Sequence, residues 1–116
     1  MNFIKIIPQL PVAEIKKSLI FYKKLNFVVH YQDDNFAVIS SDNVKIHLWK
    51  SDDLKLVGSS NCQIEVTGLD RLYVNLLSKG IIDSYDTIEN HSKVLRLLNL
   101  FDPDNNLISF IERKAL

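Results

Sequence analysis

The fold of this chain is decided by residues 10–27, LPVAEIKKSLIFYKKLNF. The apolar side chains in this stretch recur at helical spacing: Ile15, Leu19, Tyr22 and Leu25. Four lysines occupy most of the opposite arc, so the stretch predicts one amphipathic helix. Apolar runs at residues 1–7 and 27–31 flank it and predict strands. The helix would therefore be a crossover between two elements of a sheet.

The rest of the chain repeats this order. In the first half, further strands are predicted at residues 36–39 and 44–49. In the second half, a strand at 62–66 precedes a helical stripe at 69–77 that Gly80 ends. Three more strands are predicted at residues 81–85, 94–101 and 107–111. The sequence thus predicts an α+β fold of two tandem βαβββ modules.

An internal repeat of this size indicates that neither module buries its apolar face alone. We expect a single domain over residues 1–116, with the first module at about 1–50 and the second at about 61–116. Residues 51–60 mix charged and apolar side chains and end in Gly58-Ser59-Ser60, which predicts a linker.

Composition restricts the class of protein. The 116 residues are 47% apolar and 24% charged, which is typical of one globular domain. Fourteen basic and fourteen acidic side chains cancel, so charge gives no argument for a nucleic-acid or membrane partner. No stretch has the pattern of a membrane span or a signal peptide, and Cys62 is the only cysteine. These features predict a cytoplasmic protein.

The first module carries a pattern of spaced residues: Pro11, Ser18, Phe21-Tyr22 and Leu25-Asn26-Phe27. This pattern resembles the opening module of the vicinal oxygen chelate superfamily, which contains glyoxalases and bleomycin-resistance proteins. The Leu10-Pro11 start is most similar to the bleomycin-resistance branch, and Pro103 matches the turn that precedes the last strand. The resemblance implies that the two sheets curve into a ligand cup with the helices outside, and that two chains pair as a homodimer.

Three asparagines depart from the pattern of the superfamily, since relatives usually carry glycine near their positions: Asn26, Asn105 and Asn106. Asparagine tolerates positive φ better than most residues, so the departure is small.

The resemblance also marks four positions that bind a metal in metal-dependent relatives: Ile7, His47, Asn61 and Ser109. Isoleucine cannot bind a metal, and an amide and a hydroxyl are weak ligands for a transition metal. His47 would stand alone, either as a ligand contact or as an inert, hydrogen-bonded side chain. We therefore expect no metal and no cofactor.

Alternation along the strands predicts which side chains line the cup. The expected ligand-binding residues lie on both modules: Phe36, Lys45, His47, Trp49, Asn61, Gln63, Glu65, Phe101 and Ser109. Trp49 offers a stacking face beside polar groups, although a core or interface role for this indole is an equal alternative. Cys62 alternates with Gln63 and would face the helix layer as a small apolar residue.

Two functions remain open. The first is a metal-free binding protein without catalytic residues, which sequesters a small molecule such as a bleomycin-type antibiotic in a dimer cleft. The second is a metal-dependent enzyme of the glyoxalase or ring-cleaving dioxygenase type. The missing metal ligands favour the first function.

Overall fold

The computed structural model describes residues 1–53 and 55–115. Leu54, in the predicted linker, and Leu116, at the end of the predicted second module, lie outside the described residues. The first half of the chain contains β1 (Gln9–Val12), α1 (Ile15–Lys24), β2 (Val28–Gln32), β3 (Phe36–Ser41) and β4 (Val44–Lys50). The second half contains β5 (Asn61–Glu65), α2 (Leu69–Ser78), β6 (Glu89–Asn90), β7 (Leu95–Phe101) and β8 (Leu107–Arg113).

The chain divides into two compact units. The first comprises residues 1–60 and 103–106, and the second comprises residues 61–102 and 107–116. Each unit holds one four-stranded sheet, in the orders β1-β4-β3-β2 and β5-β8-β7-β6. In both sheets the first strand of the module pairs parallel with the last, and the other neighbours are antiparallel. The prediction of two βαβββ modules in an α+β fold is confirmed.

Each unit has its own apolar core between the helix and one face of the sheet. In the first unit, Tyr22 and Leu19 of α1 are buried together with Ile39, Ile46 and Leu48 of the sheet. In the second unit, α2 and one face of β5, β7 and β8 supply most of the buried side chains: Leu69, Leu76, Ile64, Leu98, Leu100, Ile108 and Phe110. Leu97, on the opposite face, is also buried. The face of each sheet that points away from its helix carries the partly exposed and exposed side chains of β4 and β5.

Both helices end in the same way. Asn26 follows α1 with φ 67°, and Gly80 follows α2 with φ 70°. The backbone N–H groups of Asn26 and Phe27 donate to Lys23 and Tyr22, and those of Gly80 and Ile81 donate to Leu77 and Leu76. These paired bonds form Schellman motifs, in which a left-handed residue reverses the chain. The positive φ of Asn26 fits the tolerance of asparagine for this region.

Residues that lie far along the chain bind the region where each helix begins. Asp104, in the 103–106 turn, accepts bonds from Ala13 N (3.2 Å) and Ser18 Oγ (3.3 Å) at the start of α1. In the same turn, the buried Asn106 donates from Nδ2 to the carbonyl of Pro11 at 2.9 Å. In the second unit, Glu112 Oε2 accepts a bond from Leu69 N (2.9 Å), the first residue of α2. The last third of the chain therefore fixes the segment that leads into α1 and binds the first backbone N–H of α2.

The predicted strand at residues 1–7 is wrong, and the predicted helix began too early. Residues 1–8 adopt neither helix nor strand, and Gln9–Val12, which overlaps the predicted helix, is a strand. Met1, Phe3, Ile4 and Ile6 are 86–107% exposed. Their β-propensity is high, but a strand needs a neighbour, and the chain joins the edge of β4 only where Pro8 O accepts a bond from His47 N.

The predicted strand at residues 81–85 is also wrong. The Asp83 side chain accepts a bond from Tyr85 N at 2.8 Å, and Asp86 Oδ2 accepts one from Asp83 N at 3.0 Å. Aspartate side chains that bond to nearby backbone groups stabilise turns in place of a sheet ladder. The second strand of the module is instead the short β6.

Among the described residues, no helix is long and apolar enough to cross a membrane.

Candidate ligand-binding site

The sheet of the first unit presents a half-exposed face on the side away from α1. Along β4, Ile46 and Leu48 are fully buried, whereas Lys45, His47 and Trp49 are partly exposed. This alternation is the one predicted from the sequence. The register places Phe36 opposite Trp49, so the four predicted residues of this unit share one face.

Aromatic rings form a chain of contacts on this face. The rings of Phe36 and His47 meet edge to face with centroids 5.1 Å apart. The ring centroid of Tyr31 lies 6.4 Å from that of Phe36. Pro11 of β1 and Phe36 of β3 are the cross-strand neighbours of Trp49. A face that combines rings with a lysine can stack on a flat group and bind polar atoms beside it.

The turn between β2 and β3 holds two of these rings in place. Asp33 Oδ1 accepts bonds from the backbone N–H groups of Asn35 and Phe36, both at 2.8 Å. Its Oδ2 accepts a bond from the Tyr31 hydroxyl at 2.6 Å. The bond with Tyr31 lowers the pKa of Asp33, and the same bond raises the pKa of the phenol.

The sheet of the second unit has a mixed polar and apolar face on the side away from α2. The exposed residues Asn61, Gln63 and Glu65 alternate along β5 with Cys62 and the buried Ile64. Each exposed residue begins a row that crosses to β8 and β7. The rows comprise Asn61-Leu107-Phe101, Gln63-Ser109-Asn99 and Glu65-Ile111-Leu97.

The middle row contains a fixed hydrogen bond. Ser109, only 8% exposed, donates from Oγ to Asn99 Oδ1 at 2.7 Å. Phe101, two residues along β7, is 58% exposed and lies in the neighbouring row. An exposed ring next to an amide row can bind a flat, polar molecule.

Glu65 lies at the end of this face and has two roles. Its Oε2 forms an ion pair with Arg113 at 3.2 Å, although both side chains are more than half exposed. It also lines an open groove of about 650 Å³ together with Val66, Thr67, Val94, Leu95, Glu112, Arg113, Lys114 and Ala115. The groove adds mostly apolar space beside the predicted ligand-binding face.

Three of the metal positions that the resemblance implies lie on strands, His47 on β4, Asn61 on β5 and Ser109 on β8. Ile7 precedes β1, and Gln9 lies opposite His47 instead. Asn61 and Ser109 belong to the other unit, where the Ser109 hydroxyl bonds to Asn99. In residues 1–53 and 55–115, no three His, Cys, Asp or Glu side chains come together in a way that could hold a metal ion.

Two residues on these faces escaped the sequence prediction. Tyr31 was missed because β2 has an irregularity between Val29 and Tyr31, which shifts the alternation by one residue. Asn99 was missed although it lies two residues before the predicted Phe101 on β7, a spacing that places both on one face. Cys62 lies on the opposite face from Gln63, as predicted, and burial followed by the charge of Asp102 raises the pKa of its thiol.

Comparisons with known proteins agree with this architecture. No family model matches the chain. The chain shares the fold of a crystal structure of a bleomycin resistance determinant encoded on the transposon Tn5, with a TM-score of 0.84, 19% identity and coverage of 97% of this chain and 100% of the other. A bleomycin-binding protein from Streptomyces verticillus, complexed with copper(II)-bleomycin, has a TM-score of 0.83 at 18% identity over 95% of this chain and 96% of that one.

A sequence relative gives the family. The bleomycin resistance protein of Geobacillus stearothermophilus is 36% identical over 125 aligned positions, which cover 92% of this chain and 95% of the relative. An alignment that covers 92% of this chain includes parts of both modules. The chain belongs to the bleomycin resistance protein family.

Proposed function

We propose that this protein binds a bleomycin-type antibiotic and sequesters it without altering it chemically. The observation that carries the proposal is the identity of 36% over 92% of the chain with a bleomycin resistance protein. A protein of the same fold has been solved with copper(II)-bleomycin bound. Binding alone is a sufficient mechanism, because a drug held by the protein cannot reach its target.

The proposed contacts lie on the two sheet faces. On the first sheet, Trp49 and Phe36 stack on a flat part of the drug while His47 and Lys45 bind polar atoms. On the second sheet, the exposed amides and the carboxylate of β5 donate and accept hydrogen bonds, and Phe101 and Ser109 lie beside them. These roles fit the mixture of rings and polar groups that small-molecule sites use.

Titration calorimetry with metal-free bleomycin and with copper(II)-bleomycin tests the proposal. We expect saturable binding of at least one form, with recovery of unmodified drug after the protein is denatured. A chain that binds neither form would contradict the proposal. Recovery of a chemically changed drug would show catalysis in place of sequestration.

The alternative function is a metal-dependent enzyme of the glyoxalase or dioxygenase type. The donor set weighs against it, since His47 lies opposite Gln9 and Val38 and its ring packs on Phe36. Elemental analysis of protein purified without chelator tests this alternative. Stoichiometric zinc, nickel, iron or manganese that is lost in His47→Ala would support the enzyme.

We further propose that the protein works as a homodimer in the cytoplasm. The dimer is supported by the exposed apolar side chains of residues 1–6, which gain nothing from folding within one chain. The cytoplasm is supported by the single cysteine, since extracellular proteins of this size commonly carry disulfides.

A further inference from the structure

The middle row of the second sheet, Gln63-Ser109-Asn99, contains an exposed amide on either side of a buried hydroxyl. Gln63 and Asn99 are exposed, and Ser109 between them is 8% exposed. Cross-strand partners project to the same face of a sheet, so the three side chains stand side by side. The flanking rows supply Leu107 and Phe101 on one side and Ile111 and Leu97 on the other. Across β8 and β7, the polar pair Ser109 and Asn99 thus lies between two apolar pairs.

The hydrogen bond within this row fixes the direction of one amide. Ser109 Oγ donates its hydrogen to Asn99 Oδ1 at 2.7 Å. A hydroxyl has one hydrogen, and the Asn99 oxygen receives it, so the Nδ2 group with its two N–H donors is directed away from Ser109. Because Asn99 is exposed, these donors are available to a molecule that lies on the face.

We propose that Asn99 contacts the bound ligand through its Nδ2 donors and selects an oxygen acceptor, a carbonyl or a carboxylate, and that Ser109 is the residue that positions it. The inference rests on the proposed function, because the ligand is the bleomycin-type drug. Carbonyl and carboxylate oxygens are acceptors without a competing donor, so they suit an N–H₂ group. Fixing the amide before binding reduces the entropy lost when the hydrogen bond forms.

A purely structural role is the competing explanation for the same bond. Ser109 is buried, and a buried hydroxyl without a partner destabilises a protein. In that case Asn99 would only satisfy Ser109, and its N–H groups would contact solvent. The two explanations differ in their effects on binding, since only the first requires the Nδ2 donors.

Asn99→Asp separates the two explanations. The aspartate keeps the size of the side chain and an oxygen that accepts from Ser109, but it removes both N–H donors and places a negative charge against the acceptor. We expect calorimetry with copper(II)-bleomycin and metal-free bleomycin to show binding weakened by about tenfold or more. Asn75→Asp makes the same chemical change at an exposed position of α2 and should leave binding unchanged.

Ser109 is tested by loss and rescue. Ser109→Ala should weaken binding by a few-fold, whereas Ser109→Thr retains the hydroxyl and should restore it. The side-chain N–H₂ signals of Asn99 in NMR spectra provide a direct readout. They should shift on addition of bleomycin in the wild type, and their positions in the free protein should change in Ser109→Ala.

The outcomes distinguish this inference from the proposed function. If the wild type binds bleomycin and Asn99→Asp binds equally well, the inference is overturned and the proposed function stands. The same holds if Ser109→Thr binds as poorly as Ser109→Ala and the Asn99 signals do not respond to the drug. If the wild type binds neither form of bleomycin, the proposed function is overturned and the inference with it.

Discussion

Trp49 is the only indole in the chain and lies near the end of β4 on the partly exposed face of the first sheet. Its position follows from alternation along β4, where the neighbours Leu48 and Ile46 are fully buried. The same alternation brings His47 and Lys45 to its side. An indole on the same face as a histidine and a lysine provides a large stacking surface whose loss can be measured.

We expect Trp49→Ala to weaken bleomycin binding by about tenfold, because stacking on one aromatic ring contributes about 1 kcal/mol beyond the burial of its area. Calorimetry measures the affinity, and in the wild type the drug should change the fluorescence of Trp49. Tyr85→Ala is the matched control, since this ring is 92% exposed in a turn of the second unit. Equal affinity of Trp49→Ala and the wild type would remove Trp49 from the proposed site.

At the scale of the element, the ends of the two helices carry the same geometry with different residues. Asn26 and Gly80 both have positive φ in Schellman motifs. An L-residue with a β-carbon pays a steric cost in this region, which asparagine partly offsets and alanine does not. The end of α1 is therefore a position where the residue type can be tested directly.

We expect Asn26→Gly to be more stable than Asn26→Ala by about 1 kcal/mol, because both substitutions remove the asparagine side chain and only alanine adds strain at φ 67°. Urea unfolding followed by circular dichroism measures the difference. At Asn75, inside α2, the alanine substitution should be more stable than the glycine substitution, since alanine is the better helix residue there. The same order at both positions would contradict the role of φ.

The start of α2 depends on a carboxylate in β8. Glu112 accepts a bond from Leu69 N at 2.9 Å and pairs with Arg96 NH2 at 2.7 Å, and Arg96 also pairs with Asp70. The bond from the Leu69 backbone lowers the pKa of Glu112, with a further contribution from Arg96. A carboxyl group whose pKa falls on folding stabilises the protein at pH values above its unfolded pKa.

We therefore expect the wild type to be more stable than Glu112→Gln at about pH 7, and the difference to shrink as the pH falls through the folded pKa of Glu112. Urea unfolding at a series of pH values down to about pH 3 measures this trend. Glu89→Gln, an exposed carboxylate of β6, is the control and should show a much smaller dependence. A difference that stays constant with pH would show that the charge of Glu112 is not involved.

The elements predicted correctly are those whose signal is local. The stripe of α2 and the alternation of β4 each lie within ten residues, so the sequence contains what is needed to find them. The strand predicted at residues 1–7 fails because propensity does not supply a neighbour. The bonds of Asp104 to Ser18 and of Glu112 to Leu69 join residues 86 and 43 positions apart, and no local pattern predicts them.

In the candidate site, too, the features that the sequence predicts are those with a local signal. His47, Trp49, Gln63 and Glu65 were assigned to exposed faces from alternation alone, and the structure places them there. The face of Asn99 follows from its spacing to Phe101, but its bond with Ser109 depends on the register of β7 against β8, which cannot be read from either strand separately. Whether any of these residues contacts a ligand stays a prediction.

At the scale of the whole molecule, the N-terminal segment differs from the rest of the chain in the exposure of its apolar side chains. Each unit buries its apolar side chains between helix and sheet, yet Met1, Phe3, Ile4 and Ile6 remain almost fully exposed. The segment ends at Pro8, just before β1 begins. β1 pairs only with residues 47–50 of β4, so among the described residues no strand lies beside residues 44–46 of β4 on that side. An exposed apolar segment next to a sheet edge is suited to contact a second chain.

We expect light scattering to give about twice the mass of one chain. Burying a large apolar side chain contributes about 1.5–3 kcal/mol, so Phe3→Asp combined with Ile6→Asp should shift the protein towards monomer while circular dichroism and urea unfolding show a folded chain. Val74→Asp, which adds a charge at a 63% exposed apolar position of α2, should leave the dimer intact. A wild type that stays monomeric at high protein concentration would contradict the dimer. A dimer that persists in the double variant would place the contact outside the N-terminal segment.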